Sequence, residues 1–243
     1  MVKYIDLKVM HAGQAIPLRH HSCAKTEVRQ LFAGEIYPRV PFLQDAETII
    51  DVGGSVGAAA LYFSLWHPKA TIFSFEPHRE SYDVAVLNTK NFDRIRMHNF
   101  GLDETDRKAP LFLGVDTHMT NSVHRGVPYN SNATEMCSFR RASTTLQKIG
   151  LDSIDILKVD TEGCEVPILR DILTAYTPTC IHLEYHSDGD RRQIDQMLLD
   201  YLMTASTSHK AHLGMATYVR SDSFPSKRDR DLWAIGPNAS GGR

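Results

Sequence analysis

A chain of 243 residues whose 27 Lys and Arg are met by 29 Asp and Glu, for a net charge of −2, has no overall field suited to nucleic acid or an anionic membrane. Its 42% hydrophobic and 23% charged residues are an ordinary globular balance, with no apolar run near the ~20 residues of a membrane span. Cys23, Cys137, Cys164 and Cys180 form no Cys-x-x-Cys pair and the start of the chain holds no signal-peptide core, so free thiols in a reducing cytoplasm are expected.

Residues 1–34 read as an N-terminal cap, 35–236 as the core and 237–243 as a frayed tail, all within one domain. Residues 4–9 alternate as a strand does, and Lys25 to Ala33 is an amphipathic helix with Val28, Leu31 and Phe32 on one face and Gly34 as its cap. His11, His20 and His21 stand among loop residues with no acid or cysteine at ligand spacing, which predicts surface histidines. Tyr37 is placed either to touch a ligand or to pack.

The centre of the chain is Thr48-Ile49-Ile50-Asp51-Val52-Gly53-Gly54-Ser55-Val56-Gly57, a buried strand ending in an acid, then a glycine turn opening a helix. Such a turn lets the backbone approach a ligand, and the helix start offers free N–H groups. Residues 70–75 form the next strand and end at Glu76, 19 residues after Gly57, where a carboxylate accepts ribose hydroxyls. An adenosine-containing ligand is therefore expected. The dinucleotide fingerprint is broken at Val52, and Asp51 suits a cationic ligand without a pyrophosphate, such as S-adenosylmethionine.

Further on, residues 78–91 read as a helix and 95–100 as a strand, with Gly101 and Leu102 at its end where an adenine edge sits. Residues 110–115 suggest an inserted hairpin strand, and the patternless 116–138 a lid. Residues 153–159 form a central strand ending at Asp160, followed by a helix from Thr161 to about Ala175. Residues 179–186 form another strand, 189–205 an amphipathic helix, and 209–220 with 231–235 a closing strand pair. This alternation implies a mostly parallel α/β sheet with helices on both faces.

The chain resembles the FkbM family of S-adenosylmethionine-dependent methyltransferases from about Glu35 to Ile235. Glu35-Ile36-Tyr37 is similar to that family's Gly-Glu-Tyr, and residues 50–57 to its Ile-Asp-Val-Gly-Ala-Asn-x-Gly. Phe75-Glu76-Pro77 matches its Phe-Glu-Pro. Ile156-Leu157-Lys158-Val159-Asp160-Thr161-Glu162-Gly163-Cys164-Glu165 is similar to its Leu-Leu-Lys-Ile-Asp-Val-Glu-Gly-Ala-Glu. Gly54-Ser55, Gln147 and Asp171 depart from the pattern. The resemblance implies a Rossmann-like class I methyltransferase fold with a C-terminal antiparallel strand pair. It also implies S-adenosylmethionine as cofactor and a hydroxyl on a polyketide, sugar or related metabolite as acceptor.

Candidate cofactor residues are Asp51, Gly53, Gly54, Ser55, Gly57, Glu76, Gly101, Leu102 and Asp160. A hydroxyl acceptor benefits from a base, and His186, Asp160 and Glu184 are the candidates, His186 first because imidazole titrates near neutrality. Lys158 is expected to pair with Glu162 or Glu165. His182-x-Glu184-x-His186 offers a metal face only by spacing, and no metal is predicted, though oxygen-ligated magnesium is compatible. An inactive nucleotide-binding scaffold and an NAD-dependent oxidoreductase are the competing classes.

Overall fold

The structure, a computed structural model, describes residues 2–115, 117–124, 130–210 and 212–235. β1 (Tyr4–His11) and β2 (Gln14–His21) form an antiparallel hairpin. Its turn sets Ala12 and Gly13 at φ of 48° and 80°, the paired left-handed conformations that match strand twist. α1 (Lys25–Ala33) buries Val28 and Leu31 and ends as expected at Gly34. There the Gly34 N–H donates to the Leu31 carbonyl and the Glu35 N–H to that of Gln30.

The first β/α units are β3 (Thr48–Val52), α2 (Ala58–Trp66), β4 (Thr71–Phe75), α3 (Arg79–Thr89) and β5 (Ile95–His98). A small insertion follows, made of β6 (Gly101–Asp103), β7 (Arg107–Gly114) and β8 (Asn130–Arg141). The remainder is α4 (Ala142–Ile149), β9 (Ile156–Val159), α5 (Glu165–Leu173), β10 (Cys180–Tyr185), α6 (Asp188–Met197), β11 (Tyr201–Lys210), β12 (Leu213–Arg220) and α7 (Lys227–Ile235).

Seven strands form the main sheet in the order β11-β12-β10-β9-β3-β4-β5. The pairs β10·β9, β9·β3, β3·β4 and β4·β5 are parallel, and β12 is antiparallel to both its neighbours. Alternation along β3 divides the core: Ile50 and Val52 pack with Leu157, Ile168 and Leu183 on one face, Ile49 with Leu61, Phe63 and Ile72 on the other. The α/β expectation thus holds, with helices on both sides. Among the described residues no helix is long and apolar enough to cross a membrane.

Five local expectations are corrected. The closing strand pair is β11 with β12, and residues 231–235 lie in α7. α6 stops at Met197 because Tyr201 onward carries Thr and Ser at alternate places and pairs as an edge strand. α5 starts only at Glu165, because Glu162 and Gly163 take φ of 57° and 107°, which no helix accommodates. Residues 130–138 of the supposed lid belong to β8, while 116 and 125–129 lie outside the described residues. His20 and His21 are buried, 5% and 0% exposed, where β2 meets α3 and the insertion.

Candidate active site

Connections leave β3 and β9 toward opposite edges of the sheet, which opens a crevice beyond their C-terminal ends. A cavity of about 650 Å³ occupies it, lined by Gly53, Gly54, Ser55, Glu76, Asp160 and Glu184 among others. Gly53 has φ of 83°, and a Cβ there would lie 1.8 Å from the Asp160 carbonyl oxygen. At Gly54 a Cβ would lie 2.2 Å from Ser74 Oγ. Both N–H groups donate to the Phe75 carbonyl, at 3.1 and 2.9 Å, which locks the turn onto β4.

Ser55 takes φ of 46°, a conformation rare outside glycine, and its N–H donates to Glu76 Oε2 at 2.8 Å. Its hydroxyl is buried without a partner. The other Glu76 oxygen accepts the His78 N–H at 2.8 Å. Burial pushes the Glu76 carboxyl up to about 7 against these two bonds. Each oxygen keeps a lone pair for a ligand hydroxyl.

Behind the turn lies Lys158, 2% exposed. Its Nζ donates to the Gly53 carbonyl at 2.6 Å and that of Val52 at 3.1 Å, and stands 3.0 Å from Asp51 Oδ1. Asp51 Oδ2 accepts the Ser74 hydroxyl at 2.6 Å. The expected partners of Lys158, Glu162 and Glu165, are thus replaced by Asp51 and, at 3.9 Å, Asp160. Asp51 is wholly buried and does not line the cavity, so it shapes the turn from behind. Gly57 does not line it either: it caps α2 at φ of 79° and lets that helix pack on Ala85 and Thr89 of α3.

Asp160 accepts the Tyr37 hydroxyl at 3.0 Å and hydrogen-bonds the Glu184 carboxyl. Burial pushes the Asp160 carboxyl up, but the Lys158 charge and the bonds from Glu184 and Tyr37 outweigh it and hold the group below its usual range. Burial and the Asp160 charge raise Glu184 well above the ordinary carboxylate value. The two shifts run in opposite directions, so Asp160 is the more acidic member of the pair.

The chain matches the Methyltransferase FkbM domain over residues 51–220. It belongs to the FkbM methyltransferase family. Methyltransferase 1 of Beauveria bassiana is 27% identical over 172 residues, covering 61% of this chain and 69% of that protein. Methyltransferase sdnD of Sordaria araneosa is 24% identical, covering 77% and 86%. The fibrillarin of Aeropyrum pernix, crystallised with natively bound S-adenosyl-L-methionine, superposes with a TM-score of 0.50 at 11% identity, covering 88% of this chain and 82% of that one. That likeness concerns the fold.

The cofactor of this FkbM methyltransferase is S-adenosylmethionine. The cavity suits it on three observations. Glu76 can take two ribose hydroxyls, Ser55 Oγ lacks a partner, and among the described wall residues the carboxyls of Glu27, Glu76, Asp160, Glu162 and Glu184 outnumber the one ammonium, Lys158, which favours a cationic ligand. Gly101 and Leu102 also line the cavity, and a Cβ at Gly101 would strike the Phe139 ring.

His186 is not on the cavity wall. Its Nε2 stands 3.2 Å from Glu162 and 3.4 Å from Glu184, and its Nδ1 3.5 Å from Glu165. Burial lowers its affinity for a proton, but Glu162 and Glu165 reverse this and push the imidazole up to about 11. His186, read from the sequence as the first candidate base, thus sits against three carboxylates and off the cavity wall, where an imidazolium serves as their counter-charge. Glu162, Glu184 and His186 bring two carboxylate oxygens and one ring nitrogen within 4.8 Å of one another.

Of the rest of the cavity wall, sequence reasoning singled out 116–138, as a lid, but missed α1 and β12. Val28 and Leu31 of α1, His118 to Asn121 of the insertion and Met215 of β12 all line the cavity. Ser122 Oγ donates to the Glu162 carbonyl at 2.7 Å and His124 Nε2 lies 3.1 Å from that of Gly163, tying the insertion to the loop after β9.

Proposed function

We propose that this methyltransferase methylates a hydroxyl oxygen of a small-molecule metabolite, with the Asp160–Glu184 carboxyl pair as the proton acceptor. The observation that carries this reading is that both carboxyls line the cavity, with the Lys158 ammonium 3.9 Å from Asp160. S-adenosylmethionine, when bound, supplies an electrophilic methyl group on a cationic sulfur. The chain's residues do the rest. Glu76 and the turn hold the nucleoside end, Asp160 and Glu184 take the hydroxyl proton as the C–O bond forms and the C–S bond breaks, and Lys158 keeps Asp160 ionised. The acidic wall and the chain's net charge of −2 speak against a polyphosphate acceptor. Four free cysteines are consistent with a cytoplasmic setting.

We also infer that residues 1–243 act as one methyltransferase unit in which 1–34 close the cavity of the 35–236 core, a reading supported by Val28 and Leu31 on the cavity wall. The test is a screen of hydroxylated polyketides, sugars and related metabolites with labelled S-adenosylmethionine. Asp160→Asn should lower kcat by about 10²–10⁴. Methylation at nitrogen or carbon would overturn the oxygen reading. Full kcat in both Glu184→Gln and Asp160→Asn would overturn the carboxyl base.

A further inference from the structure

A second cluster of ligating side chains lies away from the carboxyl pair, where β2, the start of α3 and the insertion meet. His78, Glu80 and His118 each offer a ligand atom, and the three atoms lie within 4.8 Å of one another. The rings of His78 and His118 are 4.2 Å apart, His118 Nε2 is 3.2 Å from Glu80 Oε2, and Glu135 Oε2 is 3.4 Å from His78 Nε2. Two more imidazoles pack behind them, His21 at 6.0 Å from the His118 ring and His20 at 5.4 Å from that of His21.

Hydrogen bonding inside the protein does not account for this packing. His21 is 0% exposed and neither of its ring nitrogens has a partner. His118 Nδ1 is likewise buried and unpartnered. Buried polar atoms are nearly always satisfied, and each orphan costs about 1–3 kcal/mol. Of these atoms His118 Nδ1 belongs to the cluster itself, a buried nitrogen open to a ligand that accepts an electron pair.

We propose that His78, Glu80 and His118 form a site for a zinc-class divalent ion. The donor set is two imidazoles and a carboxylate, a combination suited to zinc and its transition-metal neighbours rather than to calcium or magnesium. His78 Nδ1 accepts the Ser81 N–H at 3.3 Å and stands 3.0 Å from Ser81 Oγ, which fixes the ring with Nε2 directed to the cluster, 3.4 Å from Glu135 Oε2. Glu80 and Glu135 together balance a double positive charge. Bonds of about 2.0–2.1 Å place tetrahedral donors ~3.3 Å apart, so the three atoms need to close by at most ~1.5 Å. The half-exposed Glu80 side chain has the freedom to do so. The ion would clamp His118, a cavity-lining residue, to the helix that begins just beyond Glu76, and so hold the wall beside the nucleoside corner.

The experiment uses untagged full-length protein. Its metal content is measured as purified; it is then stripped with a chelator and titrated with Zn²⁺ against a chromophoric competitor, and separately with Co²⁺ for visible ligand-field bands. One equivalent of Zn²⁺ is expected, with a rise in melting temperature. Glu80→Gln, at an exposed position compatible with folding, and His118→Ala should each weaken Zn²⁺ by at least about tenfold and abolish the Co²⁺ bands. A Glu162→Gln/His186→Gln double variant should leave both unchanged. Unaltered Zn²⁺ affinity in Glu80→Gln and His118→Ala, or its loss only in the double variant, would overturn the site.

Discussion

Lys158 is the most informative residue to perturb. Its ammonium and the Asp51 carboxylate, 3.0 Å apart, are 2% and 0% exposed. At an effective dielectric of ~20 their gross attraction is about 5–6 kcal/mol, and desolvation of the two ions offsets much of it. Lys158→Met keeps the length of the side chain but leaves Asp51 with the Ser74 hydroxyl alone, and it frees the Val52 and Gly53 carbonyls. Breaking a buried pair from one side costs about 3–5 kcal/mol, a large share of the ~5–15 kcal/mol that holds a typical domain. Lys158→Met/Asp51→Asn removes the stranded charge and should recover about 2 kcal/mol. Asp51→Asn alone should cost less than Lys158→Met, because Asp160 at 3.9 Å still answers the ammonium. Urea unfolding by linear extrapolation measures all four corners of the cycle. A Lys158→Met variant within about 1 kcal/mol of wild type, or a double variant no more stable than that single, would refute the reasoning.

Three other outcomes are expected. With a folded value near 7 against 4.5 in the unfolded chain, Glu76 favours the fold fully below about 4.5 and loses that contribution as pH rises through 7. Ribose hydroxyls need the ionised form, so S-adenosylmethionine affinity should fall up to tenfold per unit below pH 7, with proton release on binding; calorimetry showing a flat profile would sink the assignment, and Glu76→Gln should bind weakly at every pH. Gly53→Ala, whose Cβ would sit 1.8 Å from the Asp160 carbonyl oxygen, should destabilise by more than the ~1–3 kcal/mol of left-handed strain alone, as read by denaturant unfolding. His186→Gln should cost about 2–3 kcal/mol at pH 7 through lost charged hydrogen bonds. Because the imidazole is raised from 6.5 to about 11, that contribution is complete below 6.5 and disappears as pH rises through 11, so a deficit independent of pH would contradict the counter-charge role.

The meeting of Gly53, Gly54, Glu76 and Asp160 at one cavity was legible because it depends on local chemistry. The Gly53-Gly54 turn, Glu76 after a predicted strand and Asp160 at the end of another are each set by a few consecutive residues, and a parallel sheet brings strand ends together. What failed depended on distant partners. Lys158 was matched with acids close in sequence, whereas its partner Asp51 comes from the adjacent strand in register. His186 was read by the free value of imidazole, and only the fold shows three carboxylates around it. His20 and His21 carry no sequence signal for burial, since consecutive strand residues face opposite ways and the elements covering both faces come from α3 and the insertion. Residues 201–205 fit both helical and strand spacing, and pairing with β12 decided between them.

The insertion begins and ends side by side. β6 pairs with the last residues of β8, and Gly114 of β7 faces Asn130 of β8, so the stretch between them is closed by its own ladder. Changing the length of such a stretch costs little closure entropy, about 0.6 kcal/mol for each doubling, as long as the Ser122 and His124 contacts to the loop after β9 are kept. The base of the ladder therefore offers cutting points for exchanging this part of the cavity wall. Chimaeras cut at Gly114 and Asn130 are the natural units for redirecting this scaffold toward new acceptors.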